Sequence, residues 1–529
     1  MLFTSYSFIL FLAVLFVLYY LVPRKIQWLL LLAANFVFYA FSGWDNLAFM
    51  LITILSIWLI GRHIGRLHQA RDQYLAEHKA DLNREQRKAY REAVKSRQLR
   101  WLLLALFINL GILAVLKYTN FVIANINTIR GWFAAGELSF VSLALPMGIS
   151  FYIFQSVGYM IDVYRGKYPP EDNILRLALF VSFFPQLVQG PISRFDDLSQ
   201  TLFQEHSFDG RTVTYGLQRI LWGFFKKLVI ADRILVGVNT IIRDPEHYTG
   251  IYVLVGMLFY AIQLYADFTG GIDITIGIAQ TLGIKVKENF DRPYFSKSIA
   301  EFWRRWHITM GTWFRDYVFY PLSISRPMLK LAKKSRTRFG DAVGKRVTVY
   351  LSTLIVWFTT GLWHGASWNF IVWGLLNGVV IILSQELNPF YNWFHNRFSV
   401  RSSFFFRFFQ ITRTLLLMSS LRILDCYRDV GISFRQFFSI FTTWNIRELV
   451  GGQLLNIGLS VADYLVLAFG VALMILVSLR QRRGSLRDAL QERPAPLRYA
   501  LTIAAVIVVL VVGAYGIGYD STQFIYNQF

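Results

Sequence analysis

WLLLALFINLGILAVL (101–116) contains no charged side chain, and its one polar residue is Asn109. A stretch this apolar is close to the roughly 17–25 residues that cross a bilayer as a helix. Three more runs repeat the pattern: SFILFLAVLFVLYYLV (7–22), YLVLAFGVALMILVSL (464–479) and YALTIAAVIVVLVVGAYGIG (499–518). The 529 residues are 55% hydrophobic and only 16% charged, against about 25% charged in soluble domains. Mean hydropathy is +0.42. In lipid every backbone polar group must be satisfied within its own segment, so the spans are helices. The expectation is an all-α polytopic membrane protein of 10 to 13 spans in one domain, with re-entrant or interfacial pieces where apolar and polar blocks alternate (172–300).

The net charge of +22 would suggest nucleic acid in a soluble chain. Here the basic residues gather between apolar runs, which the positive-inside rule explains without a nucleic-acid partner. Residues 62–100 carry eleven Lys/Arg and five Asp/Glu, with no proline, and read as a water-exposed helical segment on the cytoplasmic side. RPMLKLAKKSRTRFGDAVGKR (326–346) and RQRRGSLRDALQERPAPLR (480–498) read as two further cytoplasmic loops. This orientation puts both termini outside, including the tail YDSTQFIYNQF. The first apolar run has no basic region before it and no small-residue cleavage site after it, so it reads as a retained span. The one cysteine, Cys426, excludes an internal disulfide, and the eight histidines show no metal-binding spacing. No metal is expected.

Three stretches place polar groups in apolar surroundings. In EFWRRWHITMGTWFRDYVFY (301–320), a continuous helix would align Trp303, His307, Met310 and Phe314, with Phe302, Trp306, Trp313 and Tyr317 beside them. Arg304, Arg305 and Arg315 leave on other faces. An arginine at mid-membrane costs at least about 2.5–3.5 kcal/mol, so this helix lies near a surface or lines a polar cavity. Simple anchoring is the alternative. In TTGLWHGASWNFIVWG (359–374), a helix would align Trp357, Gly361, His364 and Trp368, with aromatic walls and small residues beside an imidazole able to exchange protons near neutral pH. A packing histidine between helices is the alternative. In YADFTGGIDITIGIAQTLGIKVKENFDRPY (265–294), Asp267 and Asp273 mark an ion pathway, or pair with Arg304 or Arg305 to brace the fold.

DFTGGIDITIGIAQTLGI, ENFDRPY, EFWRRWHITMGTWFRDYVFYPL and GLWHGASWNFIVWGLLNG follow one another in order. Upstream stand LPMGISFYIFQSVGYMIDVYRG (145–166) and FFPQLVQGPISRF (183–195), and the chain closes on TQFIYNQF. Together they resemble the membrane-bound O-acyltransferase (MBOAT) family, and within it the AlgI-like polysaccharide O-acetyltransferase branch. The resemblance covers almost the whole chain.

It implies a ring-like helical domain in the bacterial inner membrane, with a thinned centre, a cytoplasmic funnel for an acyl-CoA and a tunnel to the far side. Acetyl-CoA enters as the donor substrate, and no tightly bound cofactor is implied. The family's invariant histidine matches His364, the general base on a poorly nucleophilic hydroxyl. Its second polar position matches His307, which would polarise the thioester, orient His364 or stabilise the oxyanion. Arg304, Arg305 and the 326–346 loop, basic and cytoplasmic-facing, are expected to hold the CoA phosphates, with Arg315, Trp303, Trp306 and Asn289 beside the donor. The resemblance points to Trp363, Gly361, Trp368, Asp267, Gln155, Gln186 and Gln189 for the tunnel and its support. The acceptor is an extracytoplasmic polysaccharide such as alginate, cellulose, another exopolysaccharide or peptidoglycan. An SGNH-type partner protein or an export complex would assist, since no stretch of this chain reads as such a domain. Transfer of D-alanine to teichoic acids fits the ends of the chain less well.

Two departures bear on the acceptor. SISRPMLKLAKKSRTRFG follows RDYVFYPL where the branch commonly has Gly-Gly-Asn-Arg. LRILDCYRDVG stands where it commonly has Phe-Phe-Arg-Ala. A reading from another class is an ion-coupled transporter or flippase working through Asp267 and Asp273.

Overall fold

A computed structural model describes residues 3–41, 43–134, 136–400 and 403–515. Most of these residues are helical, and none is in a strand. The tail beyond 515, with TQFIYNQF, lies outside the described residues. Among the described residues six helices are long and apolar enough to cross a membrane: Asn46–Glu77, Arg84–Trp132, Ile251–Thr281, Trp368–Glu386, Val461–Arg483 and Ala495–Val512. Tyr6–Leu21 and Ile174–Gln189 are shorter and apolar. Six is fewer than apolar composition alone suggests. Part of the apolar sequence is folded into short, interrupted helices, which a membrane protein tolerates where protein buries them.

The chain forms two compact units, 1–213 with 279–287, and 214–278 with 288–529. In the first, the basic stretch 62–100 is helical as expected. It spans the end of Trp44–Glu77, a short turn and the start of Arg84–Trp132, the latter begun by an Asn83–Gln86 capping box. Gln155, Gln186 and Gln189 are buried in this unit. Gln155 Nε2 donates to Phe180 O at 3.1 Å and Gln186 Nε2 to Ser193 Oγ at 2.5 Å.

In the second unit, small residues let backbones cross closely. A Cβ at Gly361 would lie 2.3 Å from Phe370 O, and one at Gly374 would lie 2.3 Å from Trp357 O. This seats Asp341–His364 against Trp368–Glu386. Gly361 therefore serves the helix crossing rather than opening space beside the imidazole. A Cβ at Gly223 would lie 2.6 Å from Gly270 O, and one at Gly277 would lie 2.8 Å from Gly216 O. That crossing brings the start of a π-helical turn, Phe225–Ala231, to the acids of Ile251–Thr281. Such widened turns are rare and frequently sit at functional sites.

The crossing pairs the acids. Lys227 Nζ lies 2.7 Å from Asp267 and 2.8 Å from Asp232. Lys226 Nζ lies 2.6 Å from Asp273, and Arg219 pairs with both Asp273 and Glu288 at 2.9 and 2.6 Å. Asp267 and Asp273 are thus ion-paired here, through Lys226, Lys227 and Arg219 rather than Arg304 or Arg305. Arg305 instead pairs with Glu301 at 2.7 Å, one turn away on its own helix.

Candidate active site

The 301–320 stretch is not one helix. Ile299–Arg305 ends, His307 takes φ +45°, and Ile308–Phe314 begins, followed by the π-turn Arg315–Phe319. Positive φ is uncommon for a non-glycine residue and persists only where its surroundings enforce it. Asn289 supplies that enforcement. Its Oδ1 accepts from the Thr309 backbone N–H at 3.0 Å and from Thr309 Oγ1 at 2.9 Å. Its carbonyl accepts from Ile308 N at 2.9 Å. The same Oδ1 stands 3.2 Å from His307 Nδ1. A backbone N–H can only donate, so this Asn289 atom is the oxygen and His307 Nδ1 carries the hydrogen. His307 Nε2 then holds the lone pair.

The second histidine ends a helix. Asp341–His364 stops at Gly365, whose backbone is extended, and the next helix begins at Trp368. Trp368 therefore leaves the expected stripe and is 56% exposed. Trp373 takes its place, buried with its ring 4.9 Å from His364. The Trp363 ring contacts both histidines, 6.1 Å from His307 and 5.1 Å from His364. Phe268 packs edge-on against His307 at 5.0 Å.

A buried arginine joins this cage. The Arg422 guanidinium lies 4.8 Å from the Trp373 ring, 5.4 Å from Trp306 and 6.0 Å from Trp303. It donates to Asp425 at 2.9 Å. Burial, then the Arg422 charge, hold the His307 imidazole well below its ordinary value. It is therefore neutral through the physiological range, which keeps Nε2 a hydrogen-bond acceptor.

This depressed value has a sign that can be checked. Below about pH 6.5 the unfolded chain takes a proton on His307 that the folded chain refuses, so the residue subtracts stability as pH falls. The melting temperature of wild type should fall more between pH 7.5 and 5.5 than that of His307→Gln. An equal fall in both would contradict a buried neutral imidazole.

Asn289→Ala removes the acceptor for buried donors, at a cost of about 1–3 kcal/mol for each group left unpaired. It should lower both melting temperature and turnover, with KM for the donor little changed. A normal turnover number would show that the His307 turn holds without it.

The structure gathers His307, His364, Trp303, Trp306, Trp363 and Asn289 in the second unit. Trp303 packs on Trp357 at 4.6 Å and on Trp373 at 5.9 Å. Arg304 is exposed, and Arg315 is exposed and pairs with Asp316 at 2.8 Å. Neither stands in the cage. Sequence reading missed Trp373, Arg422 and the lysines. FKKLVIADR (225–233) signals the lysines plainly, as two adjacent cations in an apolar run. Arg422 lies in the stretch that departs from the branch pattern.

Comparison with known proteins gives a consistent picture. The profile of the membrane-bound O-acyltransferase family matches residues 171–424. A Pseudomonas putida protein described as a probable alginate O-acetylase, AlgI, is 35% identical over 481 residues, 89% of this chain and 87% of its own. A peptidoglycan O-acetyltransferase of Helicobacter pylori is 32% identical over 56% of this chain and 57% of its own. A teichoic acid D-alanyltransferase of Bacillus subtilis is 29% identical over 47% of this chain and 61% of its own.

Proposed function

The chain belongs to the membrane-bound O-acyltransferase family, and from that premise we propose that it moves an acetyl group from cytoplasmic acetyl-CoA to a hydroxyl of an extracytoplasmic polysaccharide. The observation that carries this reading is the pair of buried histidines in contact with Trp363, one of them held neutral with Nε2 as its acceptor nitrogen. His364 takes the proton of the acceptor hydroxyl. The hydroxyl oxygen then attacks the thioester carbonyl, the C–S bond breaks, and the proton passes to the CoA thiolate. Water-poor aromatic walls strengthen each electrostatic contact during this exchange. His307, with Nε2 as an acceptor, orients the reacting groups.

The acceptor is alginate, cellulose, another exopolysaccharide or peptidoglycan in the envelope of a bacterium. The enzyme resides in the inner membrane and works with a separate SGNH-type partner or a polysaccharide-export complex. Support for polysaccharide acceptors comes from relatives whose names specify alginate and peptidoglycan O-acetylation.

The test uses the purified full chain in nanodiscs with acetyl-labelled acetyl-CoA, each polysaccharide in turn, and the esterase-like partner. Label on one polysaccharide, matched by released CoA, is the expected result. Movement of an unacetylated sugar or lipid precursor across proteoliposomes, with no label transferred, would replace this reading with the transporter.

A further inference from the structure

A cavity of the second unit lies apart from the histidine cage, and its volume is about 850 Å³. It falls in the size range of small-molecule sites. One end is charged, with Arg219, Lys226, Arg292 and Arg487 facing Asp273, Glu288 and Asp291. The other is apolar, lined by Phe469, Leu473 and Met474 on one helix and by Leu501, Ala505 and Val508 on another. These two helices, Val461–Arg480 and Ala495–Val512, turn most of their surface outward. Phe469 is 55% and Leu501 49% exposed, so the apolar wall of the cavity is continuous with the lipid-facing skin.

We propose that this cavity holds one anionic glycerophospholipid, with its phosphodiester at the Arg219–Arg487 end and its acyl chains between the two helices. Charge selects the occupant. Four cations against three carboxylates leave one net positive charge, which matches a single phosphodiester. Most of the cations are already committed. Arg219 donates two bonds to Glu288 at 2.6 Å each, Lys226 binds Asp273 at 2.6 Å, and Arg292 binds Asp291 at 2.9 Å. Coenzyme A carries a phosphomonoester and a diphosphate, and their charge would need several uncommitted cations. The cavity also adjoins the basic 480–498 segment, and clustered basic residues beside a span attract anionic lipid.

Occupancy reaches the active site through one wall. Phe290 lines the cavity, and its ring lies 5.0 Å from Trp306 and 4.8 Å from Phe268, which packs on His307. The lipid thus packs against the ring stack that adjoins His307. Binding itself is independent of the acyltransfer reading.

The experiment follows phosphatidylglycerol bound to the delipidated full chain in detergent, by native mass spectrometry. Wild type should retain one molecule, at least fivefold more strongly than phosphatidylcholine, and 1 mM CoA should leave it in place. Ala505→Trp and Leu473→Trp, which fill the apolar end, should each weaken retention about tenfold. Ile503→Trp, on the exposed face of the same helix, should not. Displacement by CoA, equal retention of phosphatidylcholine, or unchanged binding by both filling variants would overturn the proposal. Should the filling variants aggregate, a phosphatidylglycerol with a photoreactive tail is crosslinked to wild type. Label on 473–478 and 501–509 upholds the site, and label elsewhere alone overturns it.

Discussion

His364→Ala is expected to lower CoA release in the presence of acceptor by about 10²–10⁴-fold, the usual contribution of a positioned general base. The loss should fall on turnover rather than on the KM for acetyl-CoA, because the imidazole acts on the acceptor proton. The protein should remain folded. His364 ends its helix, and the close crossing of that helix depends on Gly361 and Gly374 rather than on the imidazole. CoA release is measured on wild type and variant purified side by side, with melting temperature as the control. Equal rates would make His364 a packing residue between Trp363 and Trp373 and would remove the mechanism above. A transporter working through its acids would tolerate this change.

Lys227→Met is expected to have the largest effect on stability. The ammonium is fully buried between Asp267 and Asp232, which are buried as well. Removing one partner from a buried charge cluster costs about 3–5 kcal/mol, because the remaining charges lose compensation in a low-dielectric interior. Here two carboxylates would be left, and one must take a proton to persist. The variant should elute aggregated or melt far below wild type. Adding Asp267→Asn should recover part of the loss, since the double variant removes a carboxylate with its cation. A single variant that melts within a degree or two of wild type would show that the cluster contributes little.

The two histidines were legible because an imidazole among tryptophans and glycines stands out against an apolar background, and because the motifs around it recur in family order. The geometry around them was not legible. Periodicity treats 301–320 as one helix, but Asn289, eighteen residues before His307, captures the Thr309 N–H and turns the chain at His307 into a left-handed conformation. The same limit applies to Trp368, which a helical stripe places beside His364. The helix ends at His364, and Trp373 from the next helix fills that position.

The apolar runs, the basic loops and the helical class were determined by the sequence itself. Transfer of a segment from water to lipid is nearly a sum over its own residues, and the backbone has no other way to satisfy its hydrogen bonds in hydrocarbon. Which base meets which acid, which tryptophan walls which histidine, and where Arg422 lodges were decided only by the tertiary structure. Many of those contacts join residues far apart in the chain, as Lys227 with Asp267 and Arg422 with Trp306 do. They depend on how closely glycine-bearing helices cross, and no local pattern encodes that distance.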